Sequence, residues 1–85
     1  MAKKQNKNIK TLDLHGYAAD DVVDAIDRFI MKVQSESQVR IMTGKGKGVV
    51  KKLTMNYLKQ AKYPWKYEVM DNGKANEGVL VVFIN

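Results

Sequence analysis

The chain has 85 residues, with 15 Lys+Arg against 9 Asp+Glu, one His and no Cys, for a net charge of +6. That length supports a single hydrophobic core. The absence of thiols excludes a disulfide scaffold, thiolate catalysis and Cys-based metal sites, and one imidazole excludes a histidine-cluster metal site.

Residues 1–8 are polar and without periodicity, as in a flexible basic tail, which leaves residues 9–85 as the domain. Residues 10–15 alternate, Leu12 and Leu14 on one side and Thr11, Asp13 and His15 on the other, the pattern of a strand with one covered face. After Gly16, residues 18–35 carry Val22, Val23, Ile26, Phe29, Ile30 and Val33 at helical spacing, with Asp20, Asp24, Asp27 and Glu36 outward. Asp20 and Asp21 suit the positive end of that helix. Residues 38–43 form a second strand with Val39 and Ile41 on one face, and residues 43–48 a glycine-rich turn. A second helix over residues 49–62 turns Val50, Leu53, Tyr57 and Ala61 inward and Lys51, Lys52, Lys59 and Lys62 outward. Pro64 ends it, because proline disfavours the α conformation in the residue before it. Residues 65–71 alternate again, with Trp65, Tyr67 and Val69 inward. A polar connection over residues 71–78 leads to residues 79–84, an unbroken apolar run that suits an interior strand. Six residues fall far short of the roughly 20 that span a bilayer, and the N-terminal stretch lacks the apolar segment of a signal peptide. A cytoplasmic, monomeric domain with no membrane partner is expected.

The order β-α-β-α-β-β predicts an α/β (α+β) two-layer sandwich: a four-stranded mixed sheet, both helices on one face, and the last strand antiparallel and inside the sheet.

Charge is segregated along this frame. Residues 40–66 hold Arg40 and seven Lys with no acid, the footprint of a polyanion partner or, alternatively, of a solvated helix face. In a mostly parallel sheet, ligands gather at the carboxyl ends of the strands. Asp13 and His15 leave the first strand there, on the face the helices do not cover, where a shared hydrogen bond would fix the imidazole's tautomer. Beside them the turn Thr43, Gly44, Lys45, Gly46, Lys47 offers backbone amides, two cations and a helix N-terminus to a phosphate. Gly16 next to His15, and Lys51, Lys52 and Lys74 around the turn, complete the expected nucleic-acid-binding set. The turn matches neither a Walker A loop nor a dinucleotide fingerprint. Trp65 and the four Tyr either stack on bases or pack beside a small core. Asp20, Asp24 and Asp27 lie at i, i+4 and i+7 and could bind Mg2+, with a solvated outer face as the plainer reading, so no cofactor is expected and metal dependence is expected to be weak or indirect.

The motif Leu12-Asp13-Leu14-His15-Gly16, followed by an acidic amphipathic helix and by Val39-Arg40-Ile41-Met42-Thr43-Gly44-Lys45-Gly46, resembles the Smr (small MutS-related) domain. Asn72-Gly73 and Glu77-Gly78-Val79-Leu80-Val81-Val82 are similar to that family's closing loop and strand, so the resemblance covers residues 9–85. It implies a fold like the carboxyl-terminal domain of translation initiation factor three, with the last strand between the second and third. It also implies nucleic-acid binding and endonuclease activity, on DNA in fusions to MutS-type proteins or on mRNA at stalled ribosomes, with Asp13 and His15 and the 43–46 loop as functional residues. Many family members have His where Thr43 stands and Ser or Thr where Ala18 precedes the first helix. Three readings stand side by side: an endonuclease using His15 as general base, a non-catalytic DNA-, RNA- or ribosome-binding module, and a protein-interaction domain.

Overall fold

A computed structural model describes residues 9–44 and 48–85. The expected tail, residues 1–8, and the loop residues Lys45, Gly46 and Lys47 lie outside the described residues. In chain order the elements are β1 (Thr11–Asp13), α1 (Ala19–Lys32), β2 (Gln38–Met42), α2 (Val49–Ala61), β3 (Trp65–Val69) and β4 (Ala75–Phe83). The strands form one sheet in the order β1-β2-β4-β3. β1 runs parallel to β2, and β4 runs antiparallel to both of its neighbours. Both helices pack on one face of this sheet, so the two-layer mixed α+β architecture expected from the element order is the one observed.

The core is built by period. Val22, Ile26 and Ile30 put one side chain per turn of α1 onto the sheet, against Leu14, Val39, Ile41, Leu80 and Val82, and Leu58 of α2 closes the cluster. Each such side chain contributes about 1.5–3 kcal/mol on burial. The helix stripes are narrower than the sequence suggested. Val23 and Ala61, expected inward, are exposed. On α2 it is Thr54 and Leu58 that are fully buried, the Thr54 hydroxyl donating to the Val50 carbonyl at 2.8 Å. Tyr57 reaches across to α1, its hydroxyl donating to Asp27 Oδ1 at 2.8 Å.

The largest departure is in the second half of the sheet. β4 begins at Ala75, four residues before the apolar run, because residues 75 and 76 pair with Val69 and Glu68 of β3. Tyr67 pairs with Leu80 and Glu68 with Asn76, so residues 77–79 bulge out of the β3 ladder. Beyond the bulge Val69, expected inward with Trp65 and Tyr67, ends β3 and is 61% exposed.

The face without helices is not bare. Arg40, at the centre of β2, lays its guanidinium across the neighbouring strand, Nη2 donating to Glu68 Oε1 on β3 at 2.8 Å and Nη1 to the Thr11 hydroxyl on β1 at 3.4 Å. Its Nε is buried without a hydrogen-bond partner among the described residues.

Ala18 occupies the N-cap position of α1 in an extended conformation (φ −71°, ψ 149°), with no side chain to cap the helix. Ala18→Ser or Ala18→Asp supplies the missing acceptor without moving the backbone, and should raise unfolding free energy by about 0.5–2 kcal/mol in urea titrations; an unchanged midpoint would show the cap to be idle. A second expectation concerns pH. Burial, then the hydrogen bond and charge of Asp27, push the Tyr57 phenol up from 10.0 to about 12. A pKa raised on folding stabilises while the phenol keeps its proton: the contribution is complete below pH 10 and lost as pH rises toward 12. Stability should thus fall more steeply between pH 10 and 12 in the wild type than in Tyr57→Phe, and parallel curves would refute the linkage.

Candidate functional site

Leu14 sits in the core and its amide donates to the Met42 carbonyl at 2.9 Å. The chain therefore follows β2 one residue past β1 before it turns. The turn closes with the Tyr17 amide on the Leu14 carbonyl at 3.0 Å, and Gly16 takes φ +85°. His15 lies in this turn, not on the strand as expected. Asp13 Oδ1 accepts the backbone amide of His15 at 2.9 Å. The expected bond from carboxylate to imidazole is replaced by this Asx turn, so Asp13 fixes the main chain from which the ring projects.

A second turn lies beside it. Thr43 and Gly44 leave β2, and both amides donate to the Gly78 carbonyl in the β4 bulge, at 2.8 and 3.2 Å. The Gly78 amide in turn donates to Asn76 Oδ1 at 3.0 Å. Thr43 is buried beneath this arrangement, its hydroxyl facing the Gly44 and Gly78 carbonyls. Its amide and that of Gly44 are thereby engaged within the fold. Gly44 has φ +79°, and no atom of the described residues lies within 4 Å of where a Cβ would be. Against these residues a side chain at Gly44 or Gly16 would meet open space, and the cost of about 1–2 kcal/mol is that of the left-handed backbone alone.

The two turns and the bulge enclose a shallow pocket of about 330 Å3 lined by Asp13, His15, Met42, Gly44, Asn76, Gly78 and Val79. α2 begins at the same edge. Gly48 stands at its N-cap (φ 87°), with no side-chain cap and no acidic residue in the first turn. Among the described residues, no side-chain cap or first-turn acid compensates the positive end of the helix.

Of the residues expected from the sequence, Asp13, His15 and Gly44 line one pocket, with Gly16 beside them and Thr43 underneath. Lys45, Gly46 and Lys47 lie outside the described residues. Lys51 is not outward: its side chain is 21% exposed, 3.8 Å from Glu77 Oε1 and over the Tyr67 ring at 5.1 Å from the centroid. Lys52 is exposed on the first turns of α2. Lys74 is in the β3–β4 turn, its amide held by Asn72 Oδ1 at 2.9 Å, and does not line the pocket. Sequence reasoning missed Met42, Asn76 and Val79. The Asn-x-Gly spacing of Asn76 and Gly78 is the one signal that could have found the bulge. Asp20, Asp24 and Asp27 of α1 do not group: Asp24 pairs with Arg28 at 3.1 Å and Asp27 accepts Tyr57. Among the described residues no three of His, Asp and Glu group as a metal site, and no helix is long and apolar enough to cross a membrane.

The Smr domain model matches residues 12–85. Endonuclease MutS2 of Staphylococcus saprophyticus is 37% identical over 82 residues, covering 92% of this chain and 10% of that protein. Endonuclease MutS2 of Clostridium botulinum is 31% identical over 86 residues, covering 94% and 11%. The chain thus spans about a tenth of the length of the curated relatives it matches. The crystal structure of the Smr domain of Thermus thermophilus MutS2 superposes with a TM-score of 0.74 at 23% identity, over 91% of this chain and 99% of that one.

The Asx turn is directly testable. Asp13→Asn keeps the acceptor oxygen and should leave the His15 amide protected, whereas Asp13→Ala should reduce its protection by about 1 kcal/mol in NMR hydrogen exchange. Equal protection in the two variants would contradict the assigned bond.

Proposed function

Because this chain belongs to the Smr domain family, we propose that it binds nucleic acid at the carboxyl edge of its sheet and cleaves a phosphodiester there. The observation that carries this reading is the convergence of Asp13, His15 and Gly44 on one pocket, at the edge where α2 begins with no acid in its first turn. An imidazole in a recess beside the start of a helix brings a proton acceptor and a partial positive charge together, as phosphoryl transfer needs. The relatives named endonucleases support the reaction class.

The imidazole of His15 takes the proton of the attacking oxygen, a water or, on RNA, the 2′-hydroxyl. That oxygen bonds to phosphorus, the bond to the leaving oxygen breaks, and the leaving oxygen is protonated by Lys45, Lys47 or a water. Asp13 acts as a positioning residue, through the His15 amide. Gly16, Gly44 and Gly46 let backbone approach the phosphate and Thr43 anchors the end of β2 below it; exposed Lys52 adds charge, whereas Lys51 is turned to Glu77 and Lys74 stands off the pocket. The partner is DNA or RNA, free or presented by a ribosome.

One observation favours the non-catalytic alternative. Asp13 spends its bond on the main chain, which leaves the His15 ring without a hydrogen-bonded orienter among the described residues.

Cleavage of single-stranded RNA and of supercoiled plasmid separates the readings. His15→Ala should lose about 10²–10⁴-fold in rate, Asp13→Asn should stay within about threefold of wild type, since it retains the turn, and Asp13→Ala should fall between them. Wild-type rates in His15→Ala would remove the general-base role. Binding with a steep salt dependence and no cleavage by the wild type would identify a binding module.

A further inference from the structure

A second recess lies on the helical side of the molecule, in the last turns of α2. It is a hollow of about 560 Å3 walled by Met55, Tyr63, Pro64 and Trp65, with Asn56 and Lys59 at its rim. Its walls are fixed. The Tyr63 amide donates to the Leu58 carbonyl at 2.9 Å, the Pro64 carbonyl accepts the Phe83 amide at 2.9 Å, and Trp65 packs edge-on against Tyr67 with centroids 5.1 Å apart. A preformed apolar slot bounded by aromatic rings, with one amide and one cation at its mouth, suits a flat heteroaromatic group that bears polar edges and an attached negative charge.

The surroundings narrow the occupant. Lys52, Asn56 and Lys59 recur at i, i+4 and i+7, one stripe along the outside of α2. The stripe runs from the edge that holds His15 toward the hollow, over about 15 Å from Val49 to Lys59. Lys62 extends it, exposed at the C-cap, and no acid occurs between Arg40 and Lys66. A chain whose phosphates follow the stripe presents its bases to the same side of the helix, where the hollow opens.

We propose that this hollow takes one unpaired nucleobase of a single strand whose backbone follows Lys52 and Lys59 from the His15 pocket. Asn56 meets the base edge, Trp65 and Tyr63 supply the apolar and stacking surface, and Lys59 holds the adjoining phosphate. The inference rests on the proposed nucleic-acid site and extends it to the substrate class: single-stranded nucleic acid is preferred to duplex, because a paired base cannot enter. Stacking of this kind tolerates any base.

Trp65 is the only tryptophan, so its emission reads the hollow directly. The full chain is titrated with 12-nucleotide RNA, DNA of the same sequence, and the corresponding duplex, following Trp65 fluorescence in parallel with the anisotropy of end-labelled strands. Single strands should quench Trp65 with the same midpoint as the anisotropy, and the duplex should bind without quenching. RNA and DNA arms tell which sugar is preferred. Asn56→Ala and Lys59→Glu alter exposed residues outside the core, with thermal melts checking the fold, and each should weaken single-strand binding at least about fivefold. Lys66→Glu, the same charge change on the opposite face of β3, should preserve the quench. Anisotropy binding with unchanged Trp65 emission, or a quench undiminished in both variants, overturns the hollow while leaving the His15 site intact. Absence of binding by either signal overturns both.

Discussion

The carbonyl of Gly78 is the point on which the carboxyl edge depends. It accepts the amides of both Thr43 and Gly44, joining the end of β2 to the bulge of β4. It is in reach only because β4 lies antiparallel between β2 and β3, so its early residues pass the exit of β2. A parallel last strand would bring its other end to this edge, and the loop after β2 would have no acceptor. Asn76 fixes the peptide from the other side through the Gly78 amide. The recess that contains His15 is thus shaped by the last strand as much as by the first.

Much of this was legible in the residues. Leu12 and Leu14, Val39 and Ile41, and the run from Val79 onward announce strands because their periods match a one-sided or two-sided covered sheet, and Val22, Ile26 and Ile30 mark a helix equally plainly. Convergence of Asp13, His15 and Gly44 followed from topology alone, since parallel strands deliver their exits to one edge. The bulge was not legible. Asn76, Glu77 and Gly78 are polar or small, as a loop would be, yet Asn76 pairs with β3 and the next two bulge within the same strand. Val69 pairs beyond that bulge, at the end of β3, where its side chain is exposed.

The bond made by Asp13 was ambiguous in the sequence for a different reason. An acid two residues before a histidine can reach either the ring or the amide, and the choice depends on whether the strand continues. Here β1 ends at Asp13, the backbone turns, and the amide comes within 2.9 Å of the carboxylate. Lys51 is similar. Its position on the polar side of α2 suggested solvent, but the bulge carries Glu77 to it and Tyr67 lies beneath it.

The guanidinium of Arg40 makes the two faces of the sheet chemically unlike. One is covered by hydrophobic side chains from two helices, the other is held laterally by a half-exposed ion pair between β2 and β3. Sulfate strengthens burial of the first kind, while mobile ions screen the second. Raising the salt concentration therefore tightens one layer of this domain as it slackens the other. It also displaces any polyanion from the cationic rim, so ionic strength acts on fold and occupancy through three separate physical routes.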